Sequence, residues 1–247
     1  MINAAVFICE PLRYKQFNIY PPTVREVVTN PKFNQYLRIM TFSQEEIEDE
    51  FVEKEIDIKK MPTPFEFLLA NCYQNEEVSK LTKEAFNFFM HIKVEFLYDL
   101  KAVLVGSFED LKNVQKIEDL VLIKEEDFFE IQNLIRRASG DKEVEKPNPN
   151  EDPRIKQMKA KARRRDRLKA KQQNGGIPLS TCLVAICCMG IGITPLTIGE
   201  MSYASINAII SMYQEKEKYQ LDTDSLLAGA VDSKKVKPEY WIKNPEE

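Results

Sequence analysis

Between Arg154 and Gln172 the chain reads RIKQMKAKARRRDRLKAKQ, ten cations against the single acid Asp166, and from Gln172 to Gly199 it carries no charge at all. A segment this cationic cannot be buried in an apolar core without anions to pair it, so it separates the residues before it from those after it. Residues 1 to 153 hold 29 acids against 19 bases, and residues 173 to 247 hold 9 against 6. An acidic body is thus joined to a mildly acidic tail by a cationic rod. Charge blocks separated in this way serve either as a surface for something acidic or as one half of an internal electrostatic pair.

With 247 residues, 43% of them hydrophobic, the chain can fill a real core. The alternating, β-branched opening from Ala4 to Tyr20 predicts a strand or an extended start, closed by Pro21 and Pro22. Val24, Val27 and Val28, then Phe33, Tyr36, Leu37 and Met40, follow helical spacing on either side of an Asn30–Pro31 break. Ser43 with Glu46, and Thr63-Pro64 with Glu66, are capping boxes opening two further helices. Val78, Leu81, Ala85, Phe86 and Phe89 make the next amphipathic face, ending near His91. Lys93 to Val105 predicts a strand that pairs with the N-terminal one, Ser107 to Val114 a short helix, and Glu125 to Ser139 a helix stopped by Gly140. The proline-bearing acidic run from Asp141 to Pro153 reads as a linker.

These patterns predict a mainly α fold with a small β component (α+β). The expected organisation is a mostly helical N-terminal domain over 1–140, a linker over 141–176 that is first acidic and then basic, and a small helical C-terminal domain over 177–247. In the last, Leu179, Leu183 and Ile186 precede a turn at Gly190 to Pro195, and Ile198 to Tyr219 supplies the second arm of a helical hairpin.

The uncharged stretch is long enough to suggest a membrane span with a positive flank, but Gly190, Gly192 and Pro195 leave a continuous apolar helix only from about Pro178 to Met189, the length of a buried soluble helix. A membrane is therefore not expected as a partner. The rod offers many phosphate contacts, yet as a helix it is cationic all round and lacks stacking aromatics, so nucleic acid is a less favoured partner than protein. The plain alternative is a solvated connector whose like charges hold the two halves apart.

The segments FNIYPPTVREV, MPTPFEFLL, EEDFFEIQNLIRRASG, KARRRDRLKAKQ and ITPLTIGEMSYASINAIISMYQEKEKYQLDTDSLLAGA resemble, in that order and over nearly the whole chain, the tail assembly chaperones of long-tailed bacteriophages, in their longer form. The resemblance implies a host-cytoplasmic, non-enzymatic assembly factor that coats the tape measure protein, recruits tail tube subunits and is compatible with homo-oligomers. A virion component such as a baseplate or tail adaptor, or a nonspecific nucleic-acid-binding protein, are the competing expectations. Candidate partner-binding residues are the cations Arg163, Arg164, Arg165 and Arg167 and the tail residues Tyr203, Met212, Tyr213 and Trp241.

Catalytic and cofactor chemistry is not expected. Cys9, Cys72, Cys182, Cys187 and Cys188 lack zinc-ligand or disulfide spacing, and His91, the lone histidine, reads as a helix-end cap or a satisfied buried imidazole rather than a catalytic base. The acids of EEIEDEF, residues 45 to 51, spread around a helix and predict a solvated face rather than a cation site. GIG at 190 to 192 lacks the remainder of a dinucleotide fingerprint, and no P-loop is present. The opening MINAAVFICEPLRYK has no basic n-region, so no targeting segment is expected.

Overall fold

The computed structural model describes residues 4–54, 61–107, 120–146, 152, 154–156, 158–163, 165 and 178–229. Apart from Ser107 itself, the short helix expected over Ser107 to Val114 lies outside these residues. The chain begins with one helical turn, α1 (Ala4–Phe7), and a tight hairpin of β1 (Leu12–Tyr14) and β2 (Phe17–Ile19), paired antiparallel with Leu12 opposite Ile19. The expected extended start is therefore interrupted. Cys9 and Lys15 adopt left-handed backbone angles, φ 59° and 51°, which turn the chain between these pieces.

Local signals account for the next five helices. Thr23 caps α2 (Val24–Thr29) and Thr63 caps α5 (Pro64–Gln74), each through a reciprocal box with the glutamate three residues on. Asn30 ends α2, and α3 (Phe33–Thr41) starts beyond Pro31. Ser43 and Glu46 close the same kind of box before α4 (Gln44–Glu53). The Asn75 side chain accepts from Glu77 and Val78 N–H to start α6 (Glu76–Met90), which stops where His91 turns left-handed at φ 56°. Likewise Gly140 at φ +82° ends α7 (Glu125–Ser139).

The strand expected over Lys93 to Val105 folds back on itself. β3 (Val94–Leu97) pairs antiparallel with β4 (Ala102–Val105), and β5 (Leu122–Ile123) adds to β4, giving the order β3-β4-β5. The N-terminal strand is not its partner, because the turn before Lys101, at φ 44°, reverses the chain and satisfies the ladder locally. The main core lies between α3, α5, α6, α7 and these strands, centred on Phe86, Phe89, Phe128, Met40, Ile131 and Ile135. Ring pairs such as Phe65 with Phe128 at 5.2 Å and Phe88 with Phe89 at 5.0 Å, edge to face, fill it.

The C-terminal arm is α8 (Leu179–Cys188), a 3-10 turn (Ile198–Glu200) and α9 (Tyr203–Leu227), with α8 packed on α9. It is seated against the first 140 residues. Val24 N–H donates to the Met201 carbonyl and Tyr203 N–H to the Pro22 carbonyl, each at 2.8 Å, forming a bridge between Thr23 and Ser202. Arg25 meets Glu200 at 2.6 Å. A methyl group on Gly140 would lie 3.1 Å from Ala204 Cα, so glycine permits both the left-handed turn and the close approach of α9. The boundary read at residue 140 is thus also a packing contact.

Candidate interaction surfaces

Residues 154–156, 158–163 and 165 are helical, and this cationic helix is neither extended nor solvated all round. It lies on α4. Arg163 donates through Nε and Nη2 to Asp49 Oδ1 at 3.1 and 3.0 Å and through Nη2 to Glu48 at 3.1 Å, with Glu45 at 3.4 Å from Nη1. Lys156 approaches Glu48 at 3.8 Å, and between the two cations Ala160 is 2% exposed. Burial works against the Arg163 charge, but the Asp49 hydrogen bond and the surrounding carboxylates outweigh it and raise its pKa.

This clasp corrects two expectations together. The acids of residues 45 to 51 are not simply a solvated face, since Glu48 is buried beneath Lys156 and Arg163. The rod does not only separate the halves, since one of its faces docks on the first half. The reason is that a forked guanidinium against clustered carboxylates is a stronger arrangement than either group alone in water. The legible signal was the pairing of two opposite charge blocks; the missed residues were Glu48, Asp49, Lys156 and Ala160, which share faces only once both segments are helices.

The proposed binding residues divide accordingly. Arg163 is held by α4, and Arg165 is exposed on the opposite face of the cationic helix. Arg164, Arg167 and Trp241 lie outside the described residues. Tyr203 is not an outward anchor: its ring packs edge to face on Phe33 at 5.4 Å, and burial pushes its phenol pKa up. Met212 is 49% exposed, and Tyr213 hydrogen-bonds Glu217 one turn on, which raises the tyrosine pKa.

Those last two residues belong to the outer part of α9. Only its first turn, at Ala204, Ser205 and Ile206, is buried, with Ile209 and Ile210 partly covered by the hairpin. From Met212 to Leu227 the helix continues for about 24 Å at 1.5 Å per residue. Ile209, Met212, Lys216, Tyr219, Thr223 and Leu226 recur at alternating spacings of three and four along it, a seam of the kind that packs on another helix.

A second surface lies where α4 and α5 begin beside α7. Phe42, Phe65, Phe128, Phe129 and Val144 line an apolar cavity of about 90 Å³. Val144 is fixed over it by the Asn133 side chain, which donates to the Val144 carbonyl at 3.1 Å and accepts from its N–H at 3.0 Å. The start of the acidic linker is therefore strapped to the body.

No array of reacting groups accompanies these surfaces among the described residues. His91 is exposed at the end of α6, stacked on Tyr20 with ring centroids 4.1 Å apart. The Cys72 thiol is buried, which raises its pKa, and donates to Thr82. Among the described residues no group of three or more His, Cys, Asp or Glu is arranged to hold a metal, and no helix is long and apolar enough to cross a membrane. No family model, curated protein or solved structure matches this chain.

Proposed function

We propose that this chain is a tail assembly chaperone that binds a helical tape measure protein in the host cytoplasm and recruits tail tube subunits to it. The support is the resemblance in its aromatic and apolar segments together with one structural observation, the outer part of α9. Outer α9 leaves Met212, Leu221 and Leu227 exposed, apolar side chains suited to packing on a second amphipathic helix, and methionine adapts to varied partners. The base of α9 is anchored by Ala204 and Ile206, so the seam is presented from a fixed origin.

The test is co-expression with a phage tape measure protein, followed by affinity capture and mass spectrometry of purified particles. A chaperone co-purifies with the tape measure before assembly and is absent from mature particles. Met212→Asp in α9 weakens the capture by tenfold or more. Recovery of the chain at fixed copy number from mature virions would overturn the proposal in favour of a structural component.

A further inference from the structure

The apolar cavity under Val144 is bordered by a cation, Arg136, whose side-chain donors have no hydrogen-bond or ion-pair partner among the described residues. Phe129, Gln132 and Arg136 recur at i, i+3 and i+7 on α7, so one face of that helix carries both aromatic wall and guanidinium. Gln132 is already engaged, donating to the Phe42 carbonyl at 3.2 Å. Arg136 is half-buried, which lowers its pKa, and Glu46, Asp141 and Glu45 oppose that only by attraction at longer range. Two of these acids are held elsewhere: Glu46 accepts from the Ser43 N–H at 2.8 Å, and Glu45 lies 3.4 Å from Arg163. Glu125 also borders the cavity, but it is exposed and about 16 Å from Arg136 along α7.

We infer that this cavity is a binding site for a carboxylate carried on a compact branched apolar group, the group seated among Phe42, Phe65, Phe128 and Phe129 and the carboxylate held by Arg136. The sign of the ligand follows from the guanidinium, whose planar fork fits a carboxylate and is left idle by a neutral or cationic ligand. The size follows from the space. An apolar cavity of about 150 Å³ takes benzene, so one of about 90 Å³ suits a smaller group such as isobutyl. A seated ligand touches Val144 as well, adding to the Asn133 strap that holds the start of the linker on α7. This inference does not depend on the chaperone reading.

The experiment is a titration of the isotope-labelled full chain with isocaproate, followed by amide shifts in NMR spectra, with isocaproamide and acetate as controls. Shifts should centre on Phe129, Gln132, Arg136 and Val144 and saturate with a Kd of about 1 mM, a modest yield per atom for so small a ligand. The neutral amide should bind at least about tenfold more weakly, because it lacks the charge-assisted hydrogen bonds to Arg136. Acetate, with nothing to fill the cavity, should not saturate. In Arg136→Gln the acid and the amide should bind alike, and in Val144→Phe, which fills the cavity, neither should bind. A tripeptide ending in leucine with a free carboxylate identifies the source: binding tighter than isocaproate assigns the site to the end of another chain, and weaker binding to a free acid, both supporting the shared chemistry.

Absence of saturable shifts at these residues overturns the inference, as does equal affinity for acid and amide in the wild-type chain. Should Arg136→Gln fail to fold, the acid-to-amide ratio in the wild-type chain decides the role of charge, and loss of binding in Val144→Phe locates the site.

Discussion

The two cores of this molecule are built on different scales. The larger one joins α3, α5, α6, α7 and the short strands around Phe86, Phe89 and Phe128, with isoleucines and methionine between the rings. The smaller consists, among the described residues, of Val24, Ile186, Ile198 and Ile206, with partly covered neighbours such as Leu183 and Met201, none of them aromatic. One of its four buried members, Val24, comes from the N-terminal body. A cluster this small does not bury enough apolar surface to order the 52 residues from 178 to 229 by itself. The hairpin is therefore a dependent layer, held by borrowed burial and by the Thr23–Ser202 seam.

The largest expected effect comes from separating the two. Residues 177–247 expressed alone should lose nearly all helical circular dichroism. An isolated segment with stable, cooperative unfolding would break the comparison and make the hairpin a true domain. Next is Phe128→Ala, which removes a ring 1% exposed that meets both Phe65 and Phe86, and should cost about 3–5 kcal/mol. Chemical unfolding should then show the entire chain less stable, the hairpin included, because the hairpin rests on the body.

Ile206→Ala probes the dependence from the other side, with a loss of about 2–3 kcal/mol, the low end for a buried isoleucine because few neighbours surround it. Hydrogen exchange should accelerate in α8 and α9 while α5 and α6 keep their protection. Equal acceleration in both regions would mean that the seam couples them into one cooperative unit.

Legibility in the sequence divides along the same line, between local and borrowed contacts. The Thr63-Pro64-Glu66 box, the Asn30–Pro31 break and the Gly140 stop act within a turn of their own helix, and the structure has each of them. The pairing of β3 with β4, the seating of Ala204 on Gly140 and the clasp of Arg163 on Asp49 depend on partners brought together by folding. For β3 the alternating burial of Val94 and Phe96 was legible, but not which strand would lie beside them. The clasp was half legible: two charge blocks of opposite sign invited a pair, yet cations on every side of the rod concealed which face would dock. Outer α9 carries the three-and-four spacing of Ile209, Met212, Tyr219 and Leu226 in both sequence and structure.

The smallest effect concerns a polar clamp within the larger core's own edge. The turn of the β1–β2 hairpin is tied to α7 by Asp127, which accepts from Lys15 Nζ, from the Tyr14 hydroxyl at 3.2 Å and from the Lys124 N–H at 3.3 Å. Burial opposes the Asp127 charge, but Lys15 and the backbone N–H outweigh it, so its pKa lies below the ordinary value while that of Lys15 is raised by the same contact. A carboxylate with a depressed folded pKa contributes stability above its unfolded pKa of about 3.9 and loses it as pH falls through the folded value. The raised Lys15 contributes below its unfolded pKa of about 10.4 and loses that as pH rises through its folded value. Asp127→Asn should therefore cost about 1 kcal/mol at neutral pH, since Lys15 is largely exposed and its attraction is screened. The difference from wild type should shrink as the pH is lowered below about 4. Urea midpoints at neutral and acid pH measure it: a difference that persists unchanged in acid would show that Asp127 acts through its shape rather than its charge. The hairpin would then be tied to α7 by packing alone, as the C-terminal arm is at Gly140 and Ala204.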